Sequence, residues 1–246
     1  MQIPFTVEQF FGVFRQYNIS VWPGQVFLVA LAMAAVVLVV APQRWSGVGI
    51  SGILAFFLAW MGLAYHLAFF SSINPLAYAF AGLSLVAAGF FLWQGVVRRQ
   101  LEFKLNAGAR TPAGLDLIFF ALVVYPIWSY FAGHRYPALP TFGLPCPTTI
   151  FTIGLLAFLV APYPRSPFVV PVLWCFVGSQ AAFIFDVPQD LGLVVAGVVG
   201  IVLLARSTVT AASLADCREN IYAICSTRRD RIDPSNRCPH DLVALR

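Results

Sequence analysis

Charge is what this sequence has least of. Of its 246 residues, 25 are Asp, Glu, Lys or Arg, a tenth of the chain, where an ordinary soluble domain carries roughly a quarter. So few charges cannot cover a water-facing surface, which excludes a cytosolic globular enzyme, a disordered chain and a nucleic-acid binder. Lysine occurs once, as Lys104 in a connecting segment, so none is available inside a bundle to hold retinal as a Schiff base. Three histidines are too few, and wrongly spaced, for an intramembrane hydrolase built on a His cluster. Five scattered cysteines do not form a disulfide framework. There is no Walker A loop, Rossmann glycine pattern, HExxH or Gly-x-Ser-x-Gly.

Apolar residues take up the remainder: they make up 60% of the chain, and the mean hydropathy is +0.82. Seven apolar stretches are candidates for crossing a membrane: 23–41, 48–70, 75–97, 114–132, 148–161, 168–185 and 189–205. Their continuous runs lack the period-2 alternation of a membrane β-barrel. The fifth, roughly 14 residues at 1.5 Å each, is short for a ~30 Å hydrocarbon core. The expected class is therefore an all-α membrane protein. It would comprise an N-terminal interfacial amphipathic helix (1–22), a seven-transmembrane helical bundle (23–205) and a short basic cytoplasmic tail (206–246).

In the first segment, Thr6-Val7-Glu8-Gln9 fits a capping box, and Phe10, Phe11, Val13, Phe14 and Tyr17 share one helix face. No basic residue precedes Arg15, unlike the n-region of a secretory signal. The helix would lie in the membrane interface or pack on the surface of the bundle. If the seven spans alternate, thirteen of the fifteen basic residues fall on one side, leaving Arg15 and Arg135 on the other. The positive-inside rule then places the N-terminus outside and the C-terminus in the cytoplasm of a bacterial inner membrane. Trp22, Trp45, Trp93 and Trp128 fall near the expected interfaces. Gly192, Ala196 and Gly200 repeat every fourth residue, a face that lets another helix, here or in another subunit, approach closely. No internal repeat is visible.

In this topology the unusual polar residues gather on the outer side: Tyr65, His66, Asn74, His134, Tyr136, Cys146, Gln180, Asp186 and Asp190. Ionisable groups at membrane depth are functional candidates by default. Several short elements stand out among them: Tyr65-His66, Ile73-Asn74-Pro75, Gly133-His134 with Tyr136-Pro137, Thr141-Phe142-Gly143, Pro145-Cys146-Pro147-Thr148 and Gln189-Asp190. In these, across about residues 3–205, the chain resembles an uncharacterised bacterial family of polytopic membrane proteins whose domain has no known function. The resemblance implies a bacterial membrane protein and no activity.

Cys146 lies between two prolines at the start of a helix, where a thiolate is favoured and can bind a soft metal or attack a disulfide. With His66, His134 and Asp190 it forms a candidate set for a transition metal such as Zn or Cu. Haem on His66 and His134 is a further option. Each residue also has a plain structural reading: a Pro-rich turn, a hydrogen-bonded core histidine, a helix-capping carboxylate. Tyr65, Asn74, Tyr136, Gln180 and Asp186 would line the pocket. In the tail, Cys217, Cys225, Cys238 and His240 do not have the spacing of paired zinc knuckles. The expected function is a non-enzymatic membrane protein whose outward pocket takes a metal ion or small solute for transport. The alternatives are an accessory subunit of a respiratory or photosynthetic complex, docking through the small-residue face, and a haem or thiol redox protein.

Overall fold

The computed structural model describes residues 5–105 and 108–207. Cys217, Cys225, Cys238, His240 and the rest of the basic tail lie outside the described residues. Among the described residues eight helices build the fold: α1 (Val7–Val21), α2 (Gly24–Val40), α3 (Ser46–Ser72), α4 (Ala77–Val97), α5 (Arg110–Phe131), α6 (Pro145–Leu156), α7 (Ser166–Ile184) and α8 (Pro188–Ser207). Among the described residues, extended pairing is limited to isolated bridges.

Five helices, α3, α4, α5, α7 and α8, are long and apolar enough to cross a membrane, and the bent α1–α2 pair makes a sixth if counted as one span. The seven expected spans are thus matched in part. The first expected span is α2, a 17-residue helix without a charge, and the fifth is α6, with 12 residues. At 1.5 Å per residue α6 reaches about 18 Å, well short of a ~30 Å core. Its surroundings allow this. All of its residues except Cys146 are buried, so protein encloses it on every side. Beyond it, the Lys104 N–H donates to the Phe158 carbonyl (2.9 Å) and the Val160 N–H to that of Glu102 (2.9 Å). These bonds tie the end of α6 to the segment that follows α4.

Helix α1 starts at the expected capping box: the Gln9 N–H donates to Thr6 Oγ1 (3.2 Å), and the Thr6 N–H to Gln9 Oε1 (2.8 Å). At Trp22-Pro23 the chain turns, and α1 makes an angle of 85° with α2. The apolar face of α1 is buried: Phe10, Val13, Phe14 and Tyr17 pack with Phe5, Tyr65, Phe70, Leu144 and Val187. Glu8, Arg15 and Gln16 face outward. The amphipathic helix is therefore a roof over one end of the bundle. Asn18 pins it there. Its Nδ2 donates to the carbonyls of Pro137 (2.6 Å) and Leu139 (2.7 Å), and its Oδ1 accepts from Thr141 (2.7 Å) and Gln25 (2.7 Å).

Small residues allow the helices to meet. A Cβ added to Gly114 of α5 would stand 2.8 Å from the Gly154 carbonyl of α6, and one at Gly154 would stand 3.0 Å from the Gly114 carbonyl. The Gly192, Ala196, Gly200 face of α8 turns into this same core. Phe120 lies against Gly192, Val172 and Ile153 lie against Gly200, and Ala196 is fully buried. The face predicted to dock another subunit is already covered by the chain's own helices, because close approach within the bundle satisfies the same pattern.

Candidate functional site

Beneath the α1 roof, the starts of α6 and α8 bring a thiol and a carboxyl together. Asp190 sits in the first turn of α8 and is 1% exposed. The Tyr125 hydroxyl, from α5, donates to Asp190 Oδ1 at 2.6 Å. The Cys146 thiol lies close enough to Asp190 and Tyr125 to interact with both. Tyr65, from α3, stands within electrostatic reach of Cys146, Tyr17 and Asp190. The partners of the Asp190 carboxyl are thus a phenol and a thiol, with no cation among them. The Cys146 sulfur is engaged within this cluster.

Local sequence explains the placement. Gly143 has φ +102°, and a Cβ there would meet Leu28 and the Tyr17 hydroxyl, so only glycine fits. Pro145 begins α6, where its missing N–H is no loss. The Gly143 N–H donates to Thr148 Oγ1 at 3.1 Å, holding the turn against the helix. Tyr65 and His66 lie on a π-helical stretch of α3, Met61–Leu67, and Tyr125 directly follows a second one, Phe120–Val124. Such widened turns are frequent at functional sites because they rotate side chains out of the ordinary register.

His66 lies beside this cluster in an aromatic cage and is fully buried. Its ring centroid is 5.2 Å from those of Tyr65 and Trp174, 5.7 Å from Phe80 and 6.1 Å from Phe70. Neither of its nitrogens has a hydrogen-bond partner, and Trp174 Nε1, Thr149 Oγ1 and both amide atoms of Gln189 are likewise unpaired. A buried polar group left unpaired costs about 1–3 kcal/mol, so this concentration calls for partners that the surrounding side chains do not supply.

The remaining predicted residues form a rim. Asn74 Oδ1 accepts the Leu76 N–H at 3.0 Å, a turn-forming role that accounts for Ile73-Asn74-Pro75. His134 stacks on Phe11 at 4.4 Å and bonds to the Asp186 carbonyl oxygen at 3.2 Å. Asp186, Tyr136 and Gln180 are exposed. Among the described residues, no group of three or more His, Cys, Asp or Glu side chains comes together to hold a metal. The expected set of four is therefore divided: Cys146 with Asp190, His66 in its cage, His134 at the rim. Tyr125, Thr149, Trp174 and Gln189 were not foreseen as site residues. The one sequence signal for them is polar atoms inside otherwise apolar runs.

No curated protein and no solved structure matches the chain. The model of a family of unknown function (DUF6064) matches residues 7–215, which takes in every described helix and every residue of the buried cluster, and the chain belongs to that family.

Proposed function

We propose that the chain is an integral membrane protein that passes a small polar solute, with Asp190 as the group that takes up and releases a proton. The observation that carries this is the Asp190–Tyr125 hydrogen bond of 2.6 Å, buried beneath α1 at the start of a membrane-length helix and beside Cys146. Ionisable groups at such positions line substrate and proton pathways. The short helix α6 and the start of α8 supply helix ends beside the carboxyl, a device that membrane proteins use to hold small polar species. The α1 roof closes this site on one side. A metal centre is not part of the proposal, because His66 and His134 stand apart from the Cys146–Asp190 pair.

The same reading includes the topology. Helices α2 and α6 complete seven alternating segments, with the roof outside and the basic connections in the cytoplasm of a bacterial inner membrane.

The test is infrared difference spectroscopy on protein reconstituted in liposomes and taken through a pH jump. The chain has ten Asp and Glu side chains, so the readout is the difference between wild type and Asp190→Asn: one titrating carboxylic acid band should be missing from the variant, with the other carboxyl bands and the helix bands unchanged. The same set of titrating carboxyl bands in both proteins would overturn the proposal.

A further inference from the structure

A second feature lies away from Asp190 and does not depend on its protonation. Between α4 and α7 a crevice opens toward the lipid-facing side, flanked by Phe80, Leu83, Leu173 and Val177, with Thr149 and Trp174 also lining it. Leu83, Leu173 and Val177 are each more than a third exposed, so the mouth faces the surrounding bilayer. The enclosed space at its floor is about 20 Å³, room for one water-sized group.

Two of the lining residues carry an unpaired polar atom, Trp174 Nε1 and Thr149 Oγ1. His66, also unpaired, is not part of the lining, and its ring lies 5.2 Å from that of Trp174. An indole N–H can only donate, a threonine hydroxyl can donate, and a neutral imidazole carries one donor. Trp174 therefore lacks an acceptor, and an acceptor would also satisfy the Thr149 hydroxyl. No charged side chain borders the crevice, and its walls are apolar. An anion or a fully polar solute would gain nothing there.

We infer that this crevice is a lateral binding site for a neutral, membrane-dissolved molecule that inserts a carbonyl oxygen between Thr149 and Trp174 and leaves its apolar body among Leu83, Leu173 and Val177. Two sources share this chemistry: a quinone, and the ester carbonyl of the bilayer lipids themselves. The Pro171 interruption inside α7 lies on the same crevice wall. A proline there removes one backbone hydrogen bond and loosens the helix at that level.

The experiment follows the Trp174 indole by NMR on protein with 15N-labelled tryptophan, in nanodiscs of ether-linked lipid, which lack ester carbonyls. Six indole signals are expected, and Trp174→Phe identifies the one that matters. Titration with a decyl-substituted benzoquinone should shift that signal saturably and leave the others in place. Thr149→Val should weaken the effect about tenfold, the loss expected for one hydrogen-bond donor to the carbonyl. If the signal instead shifts on exchanging ether-linked for ester-linked lipid without quinone, the lipid carbonyl is the ligand and the site stands. A Trp174 signal indifferent to both, with close contact to water protons, would mean a structural water alone and would overturn the inference. So would a quinone response that Thr149→Val leaves unchanged while the other indoles report an intact fold.

Discussion

A histidine with no hydrogen bond at full burial is a cost carried by the folded state, and that makes His66 informative on its own. Its two ring nitrogens are both unpaired inside a cage of Tyr65, Phe70, Phe80 and Trp174. Replacing such a group with an apolar ring of similar shape removes the desolvation penalty. His66→Phe should therefore raise the unfolding midpoint in detergent, by about 1–3 kcal/mol in stability, and should impair transport. That pairing of gained stability with lost function is the signature of a residue kept for its chemistry. A midpoint that falls would mean that the imidazole packs better than any apolar ring and has only a structural role. At this scale the sequence is legible in the short polar connections between apolar runs. Cys146, between two prolines, and Asp190, after the Val187-Pro188-Gln189 turn, stand out there, and the fold brings both to Tyr125. Tyr125 was not, because a phenol near the end of a span has the appearance of an interfacial aromatic, and its partner lies 65 residues away. His134 was grouped with His66 on side of the membrane alone, and a shared side does not fix a shared site.

The roof helix shows how much one polar side chain can control. Asn18 connects α1 to the 137–141 segment through both ends of its amide, while the Tyr17 hydroxyl accepts from Trp60 Nε1 at 2.7 Å. Asn18→Ala removes the first set of bonds and leaves the aromatic packing. The expected result is a bundle that keeps its fold but melts at a lower temperature, because Gln25 and the Pro137 and Leu139 carbonyls lose their partner, and that opens more readily at the roof. In a variant retaining only Cys146, alkylation by a small neutral maleimide should speed up roughly tenfold, the equivalent of about 1.4 kcal/mol. An unchanged rate would place the thiol's access elsewhere. The α5–α6 contact makes the opposite point. Gly154→Ala pushes a methyl group against the Gly114 carbonyl and Ile118, and an overpacked contact of this kind costs about 1–3 kcal/mol. Gly89→Ala, which meets nothing within 4 Å, is the matched control and should leave the melting temperature unlowered. The capping box and apolar face of α1 could be read from residue spacing, since both are local. What that face packs against, and that the small-residue face of α8 turns inward, depends on how helices meet, and periodicity alone carries no information on that.

At the scale of the whole chain, the distribution of charge makes the firmest forecast. With thirteen of fifteen basic residues on one side of an alternating path, a reporter fused to the C-terminus should be active only in the cytoplasm, and one inserted at Gly133 only outside. The reverse pattern would invert the proposed orientation. Long apolar runs made the membrane class legible from the outset, because a bilayer tolerates few other sequences. The one segment they left in doubt, 148–161, became α6, whose short length is compensated by neighbours that the run itself cannot reveal. That enclosure has a consequence for synthesis. A twelve-residue helix surrounded by protein offers lipid neither the length nor the surface that would hold it there, so α6 cannot settle in the bilayer as it leaves the ribosome. It must wait, shielded by the insertion machinery or by α2 to α5, until α7 and α8 arrive. In the proposed topology the orientation of the final third of the chain would thus be decided late, and a reporter placed after α6 in a nascent chain halted before α7 should be found on both sides.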